Sequence, residues 1–304
     1  MKKDFLESSI MFLILLLYIG FSLSFVLMKA SLAYSEPFFL VAVRMLFSAL
    51  ILYGWLYIRK ERPKIKRSHW WIFLGAAAFN IYVTNTFELV GLQQCSAVKV
   101  ALIFCFAPFL GALLSYFIWN ERLIFFKWFG LGLGLLGILL LFVHSGKGSS
   151  LAVNSSDIWI LGAMIGTTVG WTFVKRLVFD YKYSAVLVNA VTMLIGGVGA
   201  LLSSFFIESW HPFPIYGASQ FWTLVIGTSL LSCICCYNLY AWLLRMHSVV
   251  LMTFASFLSP FFTAIFGYFF LHETINATFV GSFILLMLGL VIFYKNEIKK
   301  ESSR

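Results

Sequence analysis

Charge is scarce in this sequence. Only 11% of its 304 residues are Asp, Glu, Lys or Arg, against about 25% in soluble domains. Hydrophobic residues make up 61% and the mean hydropathy is +0.93. A soluble globule of that composition has too little polar surface to cover itself, which excludes soluble enzymes and nucleic-acid binders. Cysteine is sparse and odd in number, at five. Cys105, Cys233, Cys235 and Cys236 lie inside apolar runs, so they read as packing residues and exclude the disulfide framework of a secreted domain. Long polar connections are missing too, leaving little room for an extramembrane domain.

Apolar runs recur instead from end to end, each of about 18 residues or more and long enough to cross about 30 Å of hydrocarbon. The pattern predicts an all-α membrane protein with ten transmembrane helices at 9–31, 38–58, 70–89, 97–119, 125–143, 158–179, 184–207, 220–243, 249–271 and 277–294. Lys2 and Lys3 ahead of an apolar run imitate a signal peptide. No small-residue cleavage site follows, so that run is read as an uncleaved first helix. An even number of spans puts both termini on one side. With that side inside, the inner segments hold 18 of the 22 Lys and Arg residues, the outer loops hold Lys147, and Lys29, Arg44 and Lys99 lie within spans. The positive-inside rule therefore predicts cytoplasmic termini.

The chain also resembles itself. A shift of 152 residues aligns Trp70 with Trp222, Gly75 with Gly227, Ser96 with Ser248 and Pro108 with Pro260. It goes on to align Tyr116 and Phe117 with Tyr268 and Phe269, Glu121 with Glu273, and Gly137 with Gly289. Two halves of five helices follow, 1–147 and 148–304. An odd number of helices per half inverts one half relative to the other, the architecture of many secondary transporters with a site near the midplane.

These residues carry a resemblance. Tyr18-Ile19-Gly20, Lys29, Pro37, Arg44, Ser96, Pro108, Glu121 and Gly130, repeated in part as Ser248, Pro260, Glu273 and Gly289, are similar to the drug/metabolite transporter superfamily in its EamA-type branch of ten-helix carriers. Tyr18, where the family often has Trp, and the pair Gln93-Gln94 after the third helix depart from its pattern. The resemblance implies a multi-pass carrier of the cell inner membrane. It extends to family members that exchange S-adenosylmethionine for S-adenosylhomocysteine. For them, Arg44 or Lys29 would hold the amino-acid carboxylate, Glu88 would attract the amine or sulfonium, and Trp171 or Tyr82 would stack on adenine or the cation. Export of amino acids or drugs, as in much of the superfamily, is the alternative.

The residues themselves point to a polar cavity. A charge at a helix centre costs about 2.5–3.5 kcal/mol on insertion scales and so faces a cavity or a partner. Lys29, Arg44, Glu88 and Lys99 lie within spans, towards the outer ends of helices 1 to 4, where snorkelling of the basic residues and pairing of Glu88 with one of them are the alternative; Arg44 sits about two turns inside its helix. Asn80, Thr84 and Glu88 recur at i, i+4 and i+8 on one helix face, with Tyr82 and Asn85 nearby. Thr168, Trp171, Thr172, Lys175 and Asn189 are candidates from the other half. Interhelical hydrogen bonding is the competing account of such polar faces. Pro108 and Pro260, mid-span and among small or polar residues, predict paired hinges, with static packing kinks as the alternative. Glu121 and Glu273 at membrane edges suit capping of the next helix N-terminus.

Two motif matches carry no chemistry here. Gly132-Leu-Gly134-Leu-Leu-Gly137 satisfies a dinucleotide fingerprint but has no strand before it. Close helix packing, with Gly130 and Gly134 at GxxxG spacing, is the better reading. Cys233-Ile-Cys235-Cys236 lacks a second pair and a nearby His, so no metal site is expected. No cofactor is implied, nor any nucleic-acid partner, and the sequence does not specify an oligomeric state. No converging nucleophile, acid and base argue for a membrane-embedded enzyme, and a scaffold would not require inverted halves with mid-span prolines. The expectation is a secondary transporter that moves a small polar metabolite by alternating access, driven by an ion gradient or by solute exchange.

Overall fold

The computed structural model describes residues 2–60, 65–119, 125–144 and 155–271, with positions 281, 284, 285, 288, 289 and 292. The described residues are helical almost throughout, because backbone N–H and C=O groups in hydrocarbon must be satisfied within their own segment. Nine helices follow in order among them: α1 (Lys2–Ser31), α2 (Pro37–Ile58), α3 (70–94), α4 (97–119), α5 (Phe125–His144), α6 (155–180), α7 (Ala185–Ile207), α8 (218–243) and α9 (249–271). Six of these contain stretches long and apolar enough to cross a membrane: Ile10–Ser31, Pro37–Ile58, Ser156–Asp180, Ala185–Ile207, Ala218–Leu243 and Leu251–Phe270. The six positions described beyond Leu271 are also helical and fall within the predicted tenth span.

Helix ends follow local chemistry. Pro37 starts α2, where its missing N–H costs nothing. Ser184 caps α7 by accepting from Leu187 N at 3.2 Å. Ser96 and Ser248, 152 positions apart, cap α4 and α9 alike, accepting from Lys99 N at 3.2 Å and Leu251 N at 3.1 Å. One sequence expectation needs correction: α3 runs to Gln94 rather than ending at residue 89, so Gln93 and Gln94 form its last turn.

Irregularities repeat across the halves. α3 is a π-helix over Ala77–Val83, and α8 is one over Ser229–Cys236, the same position under the 152-residue shift to within a residue. α4 breaks between Phe104 and Ala107, and α9 tightens to a 3₁₀ turn over Ser256–Leu258. Both breaks lie within the four residues before Pro108 and Pro260. A proline ring clashes with the carbonyl four residues earlier and offers it no N–H, and those carbonyls belong to Phe104 and Ser256.

Contacts obey the same exchange. α2 packs along α7 and α4 along α9; α1 lies on α8 and α9 as α6 lies on α3 and α4. Swapping α1 with α6, α2 with α7, α3 with α8 and α4 with α9 maps this set onto itself. Small residues permit the closest crossings. A Cβ on Gly170 of α6 would overlap the backbone nitrogen of Asn80 in α3, and one on Gly289 would lie 2.7 Å from the Gly130 carbonyl and 3.0 Å from the Gly134 nitrogen.

Polar ties close the two ends of the bundle. At one, Glu208 accepts from Phe38 N at 2.6 Å and Phe39 N at 2.9 Å, placing a carboxylate at the α2 N-terminus, where the helix dipole favours it. Burial raises the Glu208 carboxyl above the ordinary carboxylate range, while these two donors pull it down. Beside it, Tyr216 donates to Glu36 Oε1 at 2.6 Å and Ser35 donates to Pro214 O at 2.9 Å. At the other end Arg245 Nη2 donates to Tyr183 O at 2.6 Å, and His69 stacks on Tyr181 with ring centroids 3.9 Å apart.

Candidate functional site

A pocket of about 700 Å³, counting the part that opens to solvent, lies where α1, α3, α4, α6, α8 and α9 converge. α1 contributes Tyr18, Phe21, Phe25 and Met28, spaced by three and four residues and therefore on one helix face. α3 contributes Thr84, Asn85 and Glu88 just beyond its π stretch, and α6 contributes Thr167 and Trp171. Tyr237 and Tyr240 follow the π stretch of α8. Phe104, Ala107, Ser256 and Ser259 line it at the breaks of α4 and α9.

The walls are largely aromatic. Trp171 stacks on Tyr240 with centroids 4.0 Å apart and planes 23° from parallel, and it meets Tyr237 at 5.2 Å. Phe21 turns its edge to both tyrosines, at 6.0 and 6.2 Å. Tyr18 donates its hydroxyl to the Met252 carbonyl, joining α1 to α9. Such faces, rich in π density, attract cations. Among them stands one carboxylate. Glu88 is 5% exposed, and its Oε1 has no hydrogen-bond partner. Arg44 of α2 lies within its electrostatic reach and is completely buried, behind the pocket wall rather than in it. Its Nη1 donates to Met28 Sδ at 3.0 Å and its Nη2 to Cys233 Sγ at 3.8 Å.

The residues singled out in the sequence divide. Thr84, Asn85, Glu88 and Trp171 line the pocket. The other described ones do not line it. Lys29 donates to the Cys95 carbonyl and to Leu92 O at 3.5 Å, at the C-terminus of α3. Lys99 forms a 2.5 Å ion pair with Asp157. Tyr82 shares a 2.6 Å hydrogen bond with Ser203, Asn189 donates to Asn238 Oδ1 at 3.1 Å, and Lys175 lies 5.9 Å from the Phe179 ring. Asn80 is buried against Gly170 with both side-chain polar atoms unpartnered. Pro108 and Pro260 are buried beside the two helix breaks, while Glu121 and Glu273 lie outside the described residues. No group of three or more His, Cys, Asp or Glu side chains that could hold a metal occurs among the described residues. Phe21, Phe25, Met28 and Tyr237 were missed as pocket residues. The signal for them was the aromatic stripe of α1 and, for Tyr237, its alignment with Asn85 under the internal shift.

Residues 8–143 and 154–295 each match the EamA-like transporter family. The chain belongs to the EamA-like transporter family. It is thus a multi-pass membrane protein and a transporter of small molecules. Among its relatives, the S-adenosylmethionine/S-adenosylhomocysteine transporter of Chlamydia muridarum is 28% identical over 97% of this chain and 95% of its own length. The protein of the same name from Chlamydia trachomatis is 28% identical over 95% and 90%. An uncharacterized transporter of Bacillus subtilis is 26% identical over 92% and 90%. A solved crystal structure shares the fold of this EamA-like transporter, with a TM-score of 0.69 at 16% identity over 92% of this chain and 98% of the other.

Proposed function

We propose that this transporter is a secondary carrier of the cell inner membrane that takes up S-adenosylmethionine in exchange for S-adenosylhomocysteine by alternating access. The observation that carries the reading is Glu88, whose unpartnered Oε1 stands in a pocket walled by Trp171, Tyr237, Tyr240 and Phe21. A sulfonium or ammonium group would be held by the carboxylate and by the aromatic faces, and an adenine ring would find a stacking surface on the same indole and phenol rings. The two Chlamydia relatives, named for these two ligands and matching nearly the whole chain, support the choice.

In this reading the halves 1–147 and 148–304 are inverted five-helix repeats, ten transmembrane helices in all, with both termini cytoplasmic. Exchange of the two repeats' roles then carries the pocket from one side to the other. Proteoliposomes loaded with unlabelled S-adenosylhomocysteine should accumulate labelled S-adenosylmethionine from outside, and empty vesicles should not. Equal uptake into empty vesicles would remove the exchange. Uptake of amino acids or drugs in place of either adenosyl compound would replace the substrate and favour the exporter reading.

A further inference from the structure

We propose that Met28 is a displaceable plug over a carboxylate-binding subsite centred on Arg44, and that a ligand carboxylate takes the place of its thioether on the guanidinium. The inference rests on the functional reading above and deepens it at one end of the same pocket.

Arg44 is an under-satisfied cation. A guanidinium offers five N–H donors and keeps its charge in proteins, yet Arg44 is 0% exposed and its hydrogen bonds go to two sulfur atoms. Thioether and thiol sulfur are weak acceptors. Nε has no partner. No carboxylate lies within ion-pair distance of it among the described residues, Glu88 included. A buried charge left in this condition is costly, and the fold keeps the neighbouring carboxylate unpaired as well. Two opposite charges that remain apart across a pocket wall suit a ligand that carries both an ammonium and a carboxylate.

The two sulfur partners differ in what they can do. Cys233 is 0% exposed, is not among the pocket residues, and is backed by Met45 Sδ at 4.0 Å. It forms a fixed rear wall. Met28 does line the pocket, with its Sδ 3.0 Å from Nη1. Methionine turns about three side-chain bonds and tolerates repacking, so Met28, buried at 5% exposure but part of the pocket lining, is the one of the two that can turn aside. A carboxylate arriving from the pocket would meet the guanidinium fork bidentately, a stronger acceptor replacing a weaker one.

The test compares S-adenosylmethionine with its decarboxylated analogue, which retains the adenine, the sulfonium and the amine. Purified wild-type protein should bind the carboxylate ligand about tenfold to hundredfold more tightly, and Arg44→Gln should bring the ratio to about one. Methionine methyl NMR, with Met28 assigned by Met28→Leu, should show its signal shift with S-adenosylmethionine and stay with the analogue. Met28→Ala provides a readout should Arg44→Gln fold poorly. With the plug absent, affinity for S-adenosylmethionine should rise several-fold while that for the analogue stays constant, since occupancy of the blocked state no longer subtracts from binding. Equal affinities in wild type, or a Met28 signal unmoved by bound S-adenosylmethionine, would overturn this inference alone. Binding of neither ligand would overturn the substrate reading and this inference with it.

Discussion

Asn85 Nδ2 donates to the Tyr237 hydroxyl at 3.1 Å, joining two residues that occupy equivalent positions 152 apart in the two halves. Both residues line the pocket, so the contact between matching positions forms part of its wall. Asn85 also donates to Ile81 O at 2.9 Å and Asn80 O at 3.4 Å, carbonyls of the α3 π stretch. Tyr237→Phe should therefore lower thermal stability in detergent modestly, by about 1 kcal/mol. Asn85→Ala should cost more, because it also removes the donor to the π stretch. If the two variants melt alike, the carbonyl contacts contribute nothing.

Glu88→Gln should weaken binding of S-adenosylmethionine by about tenfold to hundredfold, the worth of one charge-assisted contact at about 1.5–3 kcal/mol. S-adenosylhomocysteine lacks the sulfonium charge and should lose less. Calorimetric affinities for both ligands read the ratio. Equal losses would assign Glu88 to the ligand's amine or to the field of Arg44 instead.

Pro108→Ala and Pro260→Ala should leave insertion and yield intact but slow exchange. Each restores a backbone donor at one of two matching helix breaks and straightens the helix there. Proteoliposome exchange rates at equal protein incorporation are the measurement, and wild-type rates in both variants would reduce the breaks to packing features.

Gly170→Ala should sharply reduce folded yield. Its Cβ would overlap the Asn80 backbone, and backbone, unlike a side-chain tip, cannot turn aside. α3 and α6 would have to separate along a crossing that positions Glu88 and Trp171. Gly227→Ala, whose added carbon meets nothing within 4 Å, is the control. A Gly170→Ala protein with the wild-type melting temperature would show that the crossing relaxes.

Sidedness predicts accessibility. In a cysteine-free background, cysteines at Lys64, Lys182 and Lys299 should react with an impermeant thiol reagent from the cytoplasmic side, and one at Ser150 from outside. Opposite labelling of positions 64 and 299 would contradict an even number of spans.

Membership of the pocket depended on a detail of one helix. Asn80, Thr84 and Glu88 form a regular i, i+4, i+8 face on paper, and Thr84 and Glu88 do line the pocket. Asn80 does not, because it lies within the π stretch over Ala77–Val83. A π turn holds more residues than an α turn, so a residue inside it falls out of the α-helical register of Thr84 and Glu88. Arg44 shows a second limit: its burial was legible from its place within a span, but the Met28 sulfur set over it is a contact between side chains sixteen residues apart in sequence on different helices.

What the sequence determined by itself was whatever each segment settles alone with its solvent. Membrane insertion follows from the apolar content of each run, the paired helix breaks from Pro108 and Pro260, the paired caps from Ser96 and Ser248, and the two-part plan from residues repeating at a shift of 152. Tertiary structure decided which faces meet. It drew Tyr18 and Phe21 of α1 to Tyr237 and Tyr240 of α8, and it turned Tyr82 to Ser203 and Lys99 to Asp157, away from the pocket. Helix rotation and crossing distance do this. They are set jointly by small residues such as Gly170 and by every neighbouring helix at once, and no single segment carries that information.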